Sequence, residues 1–274
     1  MIARPRLLLT NDDGIDSPGL RGLAIALSET YEVVVAAPDI DRSGSGTGIG
    51  RFDPVAGVEM LGADFDGVNA YAVAGPPGLA VLAASLGAFG PMPDLVVSGV
   101  NAGMNTGHSI LHSGTVGAVL TARTFKCRGL AVSLAQSDPW RWETAIDVAL
   151  SAARWLLSHT GPAVLNVNVP GLALAEVSGI HWADLDDFGY FRVANANPES
   201  QRLQFVVGAP TSGLDPASDT AMCMGGYVTL TALSSIEPAP FPSVSATDVW
   251  QTPTRKVSDP SRAEPEGPTT KAPR

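Results

Sequence analysis

The residues best suited to chemistry lie near the start of the chain, where Leu7-Leu8-Leu9-Thr10 runs into Asn11-Asp12-Asp13-Gly14. A short apolar run closed by a turn signal reads as a buried strand, so two adjacent carboxylates sit where a strand stops. In an open α/β sheet, the crevice at the carboxyl ends of the strands is where ligands bind. Two neighbouring carboxylates repel each other when both are ionised, and a cation between them relieves that cost. The pair therefore points to a hard-metal site. The competing structural reading has one Asp capping the next helix while the other faces water.

Two further loops fall at the same kind of place. The strand Tyr31-Glu32-Val33-Val34-Val35-Ala36-Ala37-Pro38 is followed by Asp39-Ile40-Asp41-Arg42-Ser43-Gly44-Ser45-Gly46-Thr47-Gly48, too rich in Gly and Ser for a helix. Its free amides and hydroxyls suit a ligand or metal; a flexible linker is the plainer reading. The strand Asp94-Leu95-Val96-Val97-Ser98 ends in a loop, Gly99-Val100-Asn101-Ala102-Gly103-Met104-Asn105-Thr106-Gly107. Carboxylates, a hydroxyl and an amide carbonyl are all oxygen donors, which suit Mg²⁺, Mn²⁺ or Ca²⁺; the His and Cys expected for zinc are missing. A fourth piece, Ser113-Gly114-Thr115, opens an apolar helix. Helix N-termini hold phosphate or carboxylate groups, and plain N-capping is the alternative. His108 and His112 are candidates for general acid chemistry.

Several other chemistries fail on their residues. Gly107-His108-Ser109-Ile110-Leu111 lacks the second glycine of a nucleophile elbow. A receiver domain needs a phosphoacceptor Asp after a later strand, where this chain has Asn101. Aspartyl-phosphate phosphatases space their acids as D-x-D, whereas Asp12 and Asp13 are adjacent. Gly75-Pro76-Pro77-Gly78 carries no Walker lysine.

The elements that must position these groups alternate up to Pro170. Ser17 is the expected N-cap and Pro18 the first residue of helix one. Short strands and turns occupy 55–73, and helical spacing 77–86. A helix follows at 116–125, a strand at 130–134, a long helix at 140–159 and a strand at 163–169. This alternation predicts a mostly parallel, doubly wound sheet. Beyond it, 180–183, 188–193, 203–207 and 227–233 read as strands without intervening helices, with 196–199 closing a hairpin. The expected division is a metal- and phosphate-binding core at 1–170, an antiparallel, β-rich extension and oligomerisation arm packing on it at 171–250, and a disordered tail at 251–274.

Composition narrows the partners. Of 274 residues, 45% are hydrophobic and 16% charged, which fits one large α/β domain with a core. A net charge of −10 argues against a nucleic-acid polymer as partner, yet leaves a small phosphate ester open. Cys127 and Cys223 are too few for a disulfide framework. The first residues lack a signal-peptide apolar region, and no run of eighteen apolar residues suggests a membrane span. The expectation is a soluble, cytoplasmic protein.

Assembled in order, these pieces resemble the SurE family of metal-dependent nucleotidases. The match runs through Thr10-Asn11-Asp12-Asp13-Gly14, Ala37-Pro38-Asp39, Arg42-Ser43-Gly44, Val97-Ser98-Gly99-Val100-Asn101-Ala102-Gly103, Asn105, Gly107 and Ser113-Gly114-Thr115-Val116. Leu130-Ala131-Val132-Ser133-Leu134, Asn166-Val167-Asn168-Val169-Pro170, Asp219 and Gly226-Tyr227-Val228 extend it to about residue 235. The resemblance implies a Rossmann-like core, a homodimer or tetramer built partly through a C-terminal arm, and one divalent ion per subunit. That ion is Mg²⁺ or Mn²⁺, with Ca²⁺ an acceptable occupant in crystals. It places the metal ligands on Asp12, Asp13, Ser43 and Asn101, and phosphate contacts on Asn105, Ser113, Gly114 and Thr115; Asn11 and Ser43 complete the expected substrate-binding set. Asp12, Asp13, Asn105 and His108 form the expected catalytic set. The implied activity is hydrolysis of nucleoside 5′- or 3′-monophosphates by a metal-activated water. The alternatives are a dedicated phosphatase of a specialised biosynthetic pathway, acting on a sugar phosphate or modified nucleotide, and a non-catalytic nucleotide-binding regulator.

Departures from the family pattern cluster at the substrate wall. Gly75-Pro76-Pro77-Gly78-Leu79-Ala80-Val81 stands where the family has G-T-P-x-D-C-V. His112 replaces the tyrosine before S-G-T, and His108-Ser109 replaces an acidic residue.

Overall fold

The computed structural model describes residues 4–51, 59–63, 65–160, 163–187, 191–197, 202–207 and 213–234. Six strands form the parallel centre of a nine-stranded sheet: β1 (Arg6–Thr10), β2 (Glu32–Pro38), β4 (Asn69–Val73), β5 (Leu95–Ala102), β6 (Arg128–Leu134) and β7 (Val164–Val169). They lie in the order β4-β2-β1-β5-β6-β7, all neighbours parallel. This is the doubly wound order of dinucleotide-binding folds, and it reverses direction between β1 and β5. The expected α/β fold is what the chain adopts.

Alternation along each strand feeds two cores. Leu7 and Leu9 of β1 face α1 (Pro18–Ser28) and α4 (Trp142–Ser158), while Leu8 faces α2 (Pro77–Ser85) and α3 (Gly114–Thr124). Helix α1 buries Leu20, Leu23, Ala24 and Leu27, one stripe at helical spacing. Ala145, Ala149 and Ala153 of α4 recur every four residues and are fully buried. Small side chains on this face let the helix lie close to the sheet. Each fully buried leucine contributes about 1.5–3 kcal/mol relative to exposure, so the site stands on a firm base.

The elements follow the sequence reading with three differences. First, β5 does not stop at Ser98 but continues through Ala102, with a register shift between Ser98 and Asn101. Gly99 sits there at φ 129, a conformation open to glycine, and the shift keeps Asn101 on the strand rather than in a loop. Second, a helix interrupts the C-terminal strands: α5 (Asp219–Met224), whose N-cap Ser218 accepts from the Ala221 N–H at 3.2 Å. Third, β8 (Ile180–Trp182) runs parallel to β11 (Val228–Leu233), which itself joins β7 antiparallel at the sheet's end. The opposite edge carries β3 (Met60–Ala63), antiparallel to β4.

β9 (Phe191–Asn197) and β10 (Arg202–Val207) pair antiparallel as a two-stranded sheet of their own. The hairpin turn expected at 196–199 and the tail expected at 251–274 reach outside the described residues. Among the described residues no helix is long and apolar enough to cross a membrane. Cys127 and Cys223 are free and buried.

Candidate metal centre

The reversal point between β1 and β5 holds the acidic pair. Asn11 shapes the turn: its side chain donates to the Gly14 carbonyl at 3.0 Å and accepts from the Gly14 N–H at 3.2 Å. Gly14, at φ 102, completes the reversal into α1. Asn11 is fully buried with both amide ends used. It holds the turn.

Asp12 is buried against the start of α3. The Gly114 N–H donates to its Oδ2 at 2.9 Å, and the Thr115 hydroxyl donates to its Oδ1 at 2.5 Å. The same hydroxyl lies 3.2 Å from Asn101 Oδ1, tying β1, β5 and α3 together. The anion at this helix N-terminus is thus a carboxylate of the chain itself. Gly114 and Thr115 orient Asp12 through these bonds. Ser113 caps α3, its Oγ accepting from the Val116 N–H at 3.1 Å. A Cβ at position 114 would lie 2.6 Å from Ser45 Oγ and 2.7 Å from Asp12 Oδ2, so only glycine fits.

Burial raises the Asp12 carboxyl above its ordinary range, against the lowering effect of the Thr115 hydroxyl and the backbone donors. Asp13 is pushed up to about 7, chiefly by burial, then by the neighbouring charge of Asp12, with Asp41 adding to it. The Ala102 N–H, 3.4 Å from Asp13 Oδ2, offsets little of this. Among the described residues the ion pairs involve Glu32, Asp66, Asp39 and Glu143, so neither Asp12 nor Asp13 has a side-chain cation.

The loop that carries the exposed Ser43 is fastened beside this centre. The Arg42 N–H donates to the Asp12 carbonyl at 2.7 Å, which fixes the loop beside the pair. Ser43 donates through N–H and Oγ–H to Asp41 Oδ1, at 2.7 and 2.6 Å, leaving the lone pairs of Oγ available. Asp41, absent from the expected set, is thus a neighbour of both Ser43 and Asp13. Ser45 Oγ is buried without a hydrogen-bond partner among the described residues.

These residues fit a divalent cation. No three His, Cys, Asp or Glu side chains gather into a metal-sized group among the described residues. The donor set is instead two carboxylates, one buried and one half-buried, an amide and hydroxyls, oxygen throughout, with no side-chain cation paired to either carboxylate among the described residues. That is the chemistry of a hard-cation site.

Asn105 lies at the neighbouring strand end. Its side-chain Nδ2 donates to Ser133 Oγ at 2.8 Å, and Ser133 sits opposite Asn101 in the β5–β6 register. A 3₁₀ turn, Gly107–His112, then leads to α3. His108 and His112 are exposed on it, and no hydrogen bond orients either imidazole among the described residues.

A profile of the family described as Survival protein SurE matches residues 7–190. The chain belongs to the SurE family. Its sequence is 33% identical over 251 residues to the 5′-nucleotidase SurE of Aeromonas hydrophila, covering 89% of this chain and 98% of that one. It is 36% identical over 243 residues to the 5′/3′-nucleotidase SurE of Erwinia tasmaniensis, covering 83% and 89%. The crystal structure of the SurE protein from Aquifex aeolicus superposes with a TM-score of 0.72 at 30% identity, covering 84% of this chain and 93% of that one. The SurE match spans all four expected metal ligands and the Asn105 turn, whereas Asp219 lies beyond the profile's range.

Proposed function

We propose that this chain is a divalent-metal-dependent phosphomonoesterase acting on nucleoside 5′- or 3′-monophosphates. The observation that carries the reading is the pair of buried Asp12 and half-buried Asp13 at the sheet's reversal point, with no side-chain cation paired to either among the described residues, in a chain of the SurE family. Asp12, Asp13, Ser43 and Asn101 would hold the ion. A divalent cation bound there supplies Lewis acidity toward a phosphoryl oxygen and lowers the pKa of the attacking water.

The chain's own groups do the rest. Thr115 and Gly114 fix Asp12 so that one carboxylate edge orients the attacking water. Asp41 accepts the Ser43 hydroxyl hydrogen bond, which leaves the serine oxygen's lone pairs free to face a cation. Asn105 places an amide beside the equatorial phosphoryl oxygens, where charge builds up in the transition state. The leaving alkoxide takes its proton from solvent, in keeping with unheld histidines. The β9–β10 hairpin and the segments around it, within 171–250, serve a homodimer or tetramer in this reading. The ion is Mg²⁺ or Mn²⁺, and the enzyme works in the cytoplasm.

The test is phosphate release from nucleotides, sugar phosphates and p-nitrophenyl phosphate, with Mg²⁺, Mn²⁺ or EDTA. Metal-dependent release from nucleoside monophosphates is expected. Release confined to another ester would overturn the substrate class, and silence with every metal would overturn the enzyme reading.

A further inference from the structure

The turn after β5 has no ladder of its own, yet it is fastened at both ends by side chains from elsewhere. The Asn105 N–H donates to Asn168 Oδ1 at 2.8 Å, and the Asn105 carbonyl accepts from Asn168 Nδ2 at 2.9 Å. One side-chain amide thus grips both polar groups of the Asn105 backbone, as a neighbouring strand would. Asn166 Nδ2 donates to the same carbonyl at 2.9 Å, and the Asn105 side chain donates to Ser133. Two residues on, the Gly107 N–H donates to Asp219 Oδ1 and Oδ2 at 3.1 and 3.0 Å. Asp219 also accepts from the N–H groups of Asp186, at 3.1 Å, and Thr220, at 2.8 Å.

Ser133, Asn166, Asn168 and Asp219 are all fully buried. Breaking any of these bonds would strand a polar group away from water, so the arrangement has one low-energy geometry. Asn105 is the exception in the network, being only partly buried. Its Oδ1 and second amide hydrogen have no hydrogen-bond partner among the described residues. Within the network, Asn166 Oδ1 and the Thr106 hydroxyl are buried without a partner among the described residues; the Asn105 amide is the end that reaches solvent, beside Ser133, which pairs with Asn101.

We propose that Asn168 is a positioning residue for the phosphate site, setting the Asn105 amide against a phosphoryl oxygen, with Asp219 pinning the far end of the same turn. The proposal rests on the phosphomonoesterase reading above. It gives work to Asn166, Asn168 and Asp219, none of which reaches the metal centre through any hydrogen bond of its own.

The experiment compares wild type, Asn168→Asp, Asn105→Ala and the double variant. Asn168→Asp keeps the shape and one acceptor, but faces the Asn105 carbonyl with oxygen in place of N–H. Its kcat for p-nitrophenyl phosphate is expected to fall about 10–100-fold, as for other groups that orient a reacting residue. Mn²⁺ affinity should stay at the wild-type value, because no metal ligand is touched. Adding Asn168→Asp to Asn105→Ala should cost nothing further, since Asn168 acts through the group already removed. A wild-type kcat in Asn168→Asp, or losses that multiply in the double variant, would overturn the proposal. Should Asn168→Asp fail to fold, Ser133→Ala releases only the Asn105 side chain and is expected to lower kcat about tenfold with unchanged Mn²⁺ affinity. Hydrogen exchange at the Asn105 and Gly107 amides decides the clamp independently of turnover: faster exchange in Asn168→Asp supports it, and unchanged exchange overturns it. A wild-type enzyme that releases no phosphate would instead sink the phosphomonoesterase reading.

Discussion

Two polar systems lie side by side at the carboxyl ends of the strands, and they are built on opposite principles. Around Asn105, buried donors meet acceptors: Asn168 with the backbone of Asn105, Asp219 with three backbone N–H groups. Around Asp12 and Asp13, negative charge is gathered beside Asp41 with no cation to balance it. A system whose buried groups mostly satisfy one another adds rigidity and specifies one structure. One that does not is destabilising until something binds. The difference separates framework from active centre without appeal to any single motif.

The comparison breaks most visibly at Asp12. Asp12→Asn keeps the shape but removes a charge from the ion's expected ligands; steady-state assays should show activity lost by more than about 100-fold, the range of merely orienting groups. The paired substitutions Asp13→Ala and Asp219→Ala sharpen the contrast next. In metal-free protein at pH 8, Asp13→Ala should raise Tm, because it removes a half-buried charge that Asp12 and Asp41 repel and that one long bond from the Ala102 N–H offsets little. Asp219→Ala should lower Tm, since each orphaned N–H costs about 1–3 kcal/mol. Thermal melts of both variants decide this; the same sign for the two would erase the distinction.

Titration gives a smaller, graded effect. With Asp13 pushed up to about 7 from an ordinary 3.8, its folded state binds the proton more tightly than the unfolded chain. In metal-free protein that contribution to stability is complete below 3.8 and is lost as pH rises through about 7. Cation binding must displace the same proton, so Mn²⁺ affinity measured across pH 5.5–8.5 by calorimetry should weaken roughly tenfold per unit below about 7 and level off above it. The smallest effect is expected at His108. His108→Ala should leave kcat within about threefold of wild type, well short of the 10²–10⁴-fold a general acid contributes.

The sequence made the reversal point legible because its signals are local. Leu7-Leu8-Leu9 alternates between two cores, Gly14 permits the turn, and Asp12-Asp13 falls where the strand must end. The metal-ligand set came from the family resemblance as well as from oxygen chemistry. What escaped was set by contacts between distant segments. Asn168 meets Asn105 across 63 residues, and Asp219 meets Gly107 across 112; no periodicity announces either. Ser113-Gly114-Thr115 reads as a helix start suited to an anion, but that Asp12 lies against it is set by the folded sheet, which brings that carboxylate to Gly114 and Thr115. The extension of β5 to Ala102 depended on pairing with β6, and α5 is six residues long, too short for a periodic signal despite its Ser218 cap.

The central claim is that Asp12 and Asp13 are held unbalanced to receive a cation. Calorimetric titration of metal-stripped protein with Mn²⁺ at pH 8, run on wild type and Asp12→Asn in parallel, tests it most directly. The account predicts one saturable site per chain in the wild type, a rise in Tm on saturation, and loss of that site in the variant. Equal binding by the two proteins, or no saturable binding by folded wild type, would contradict it.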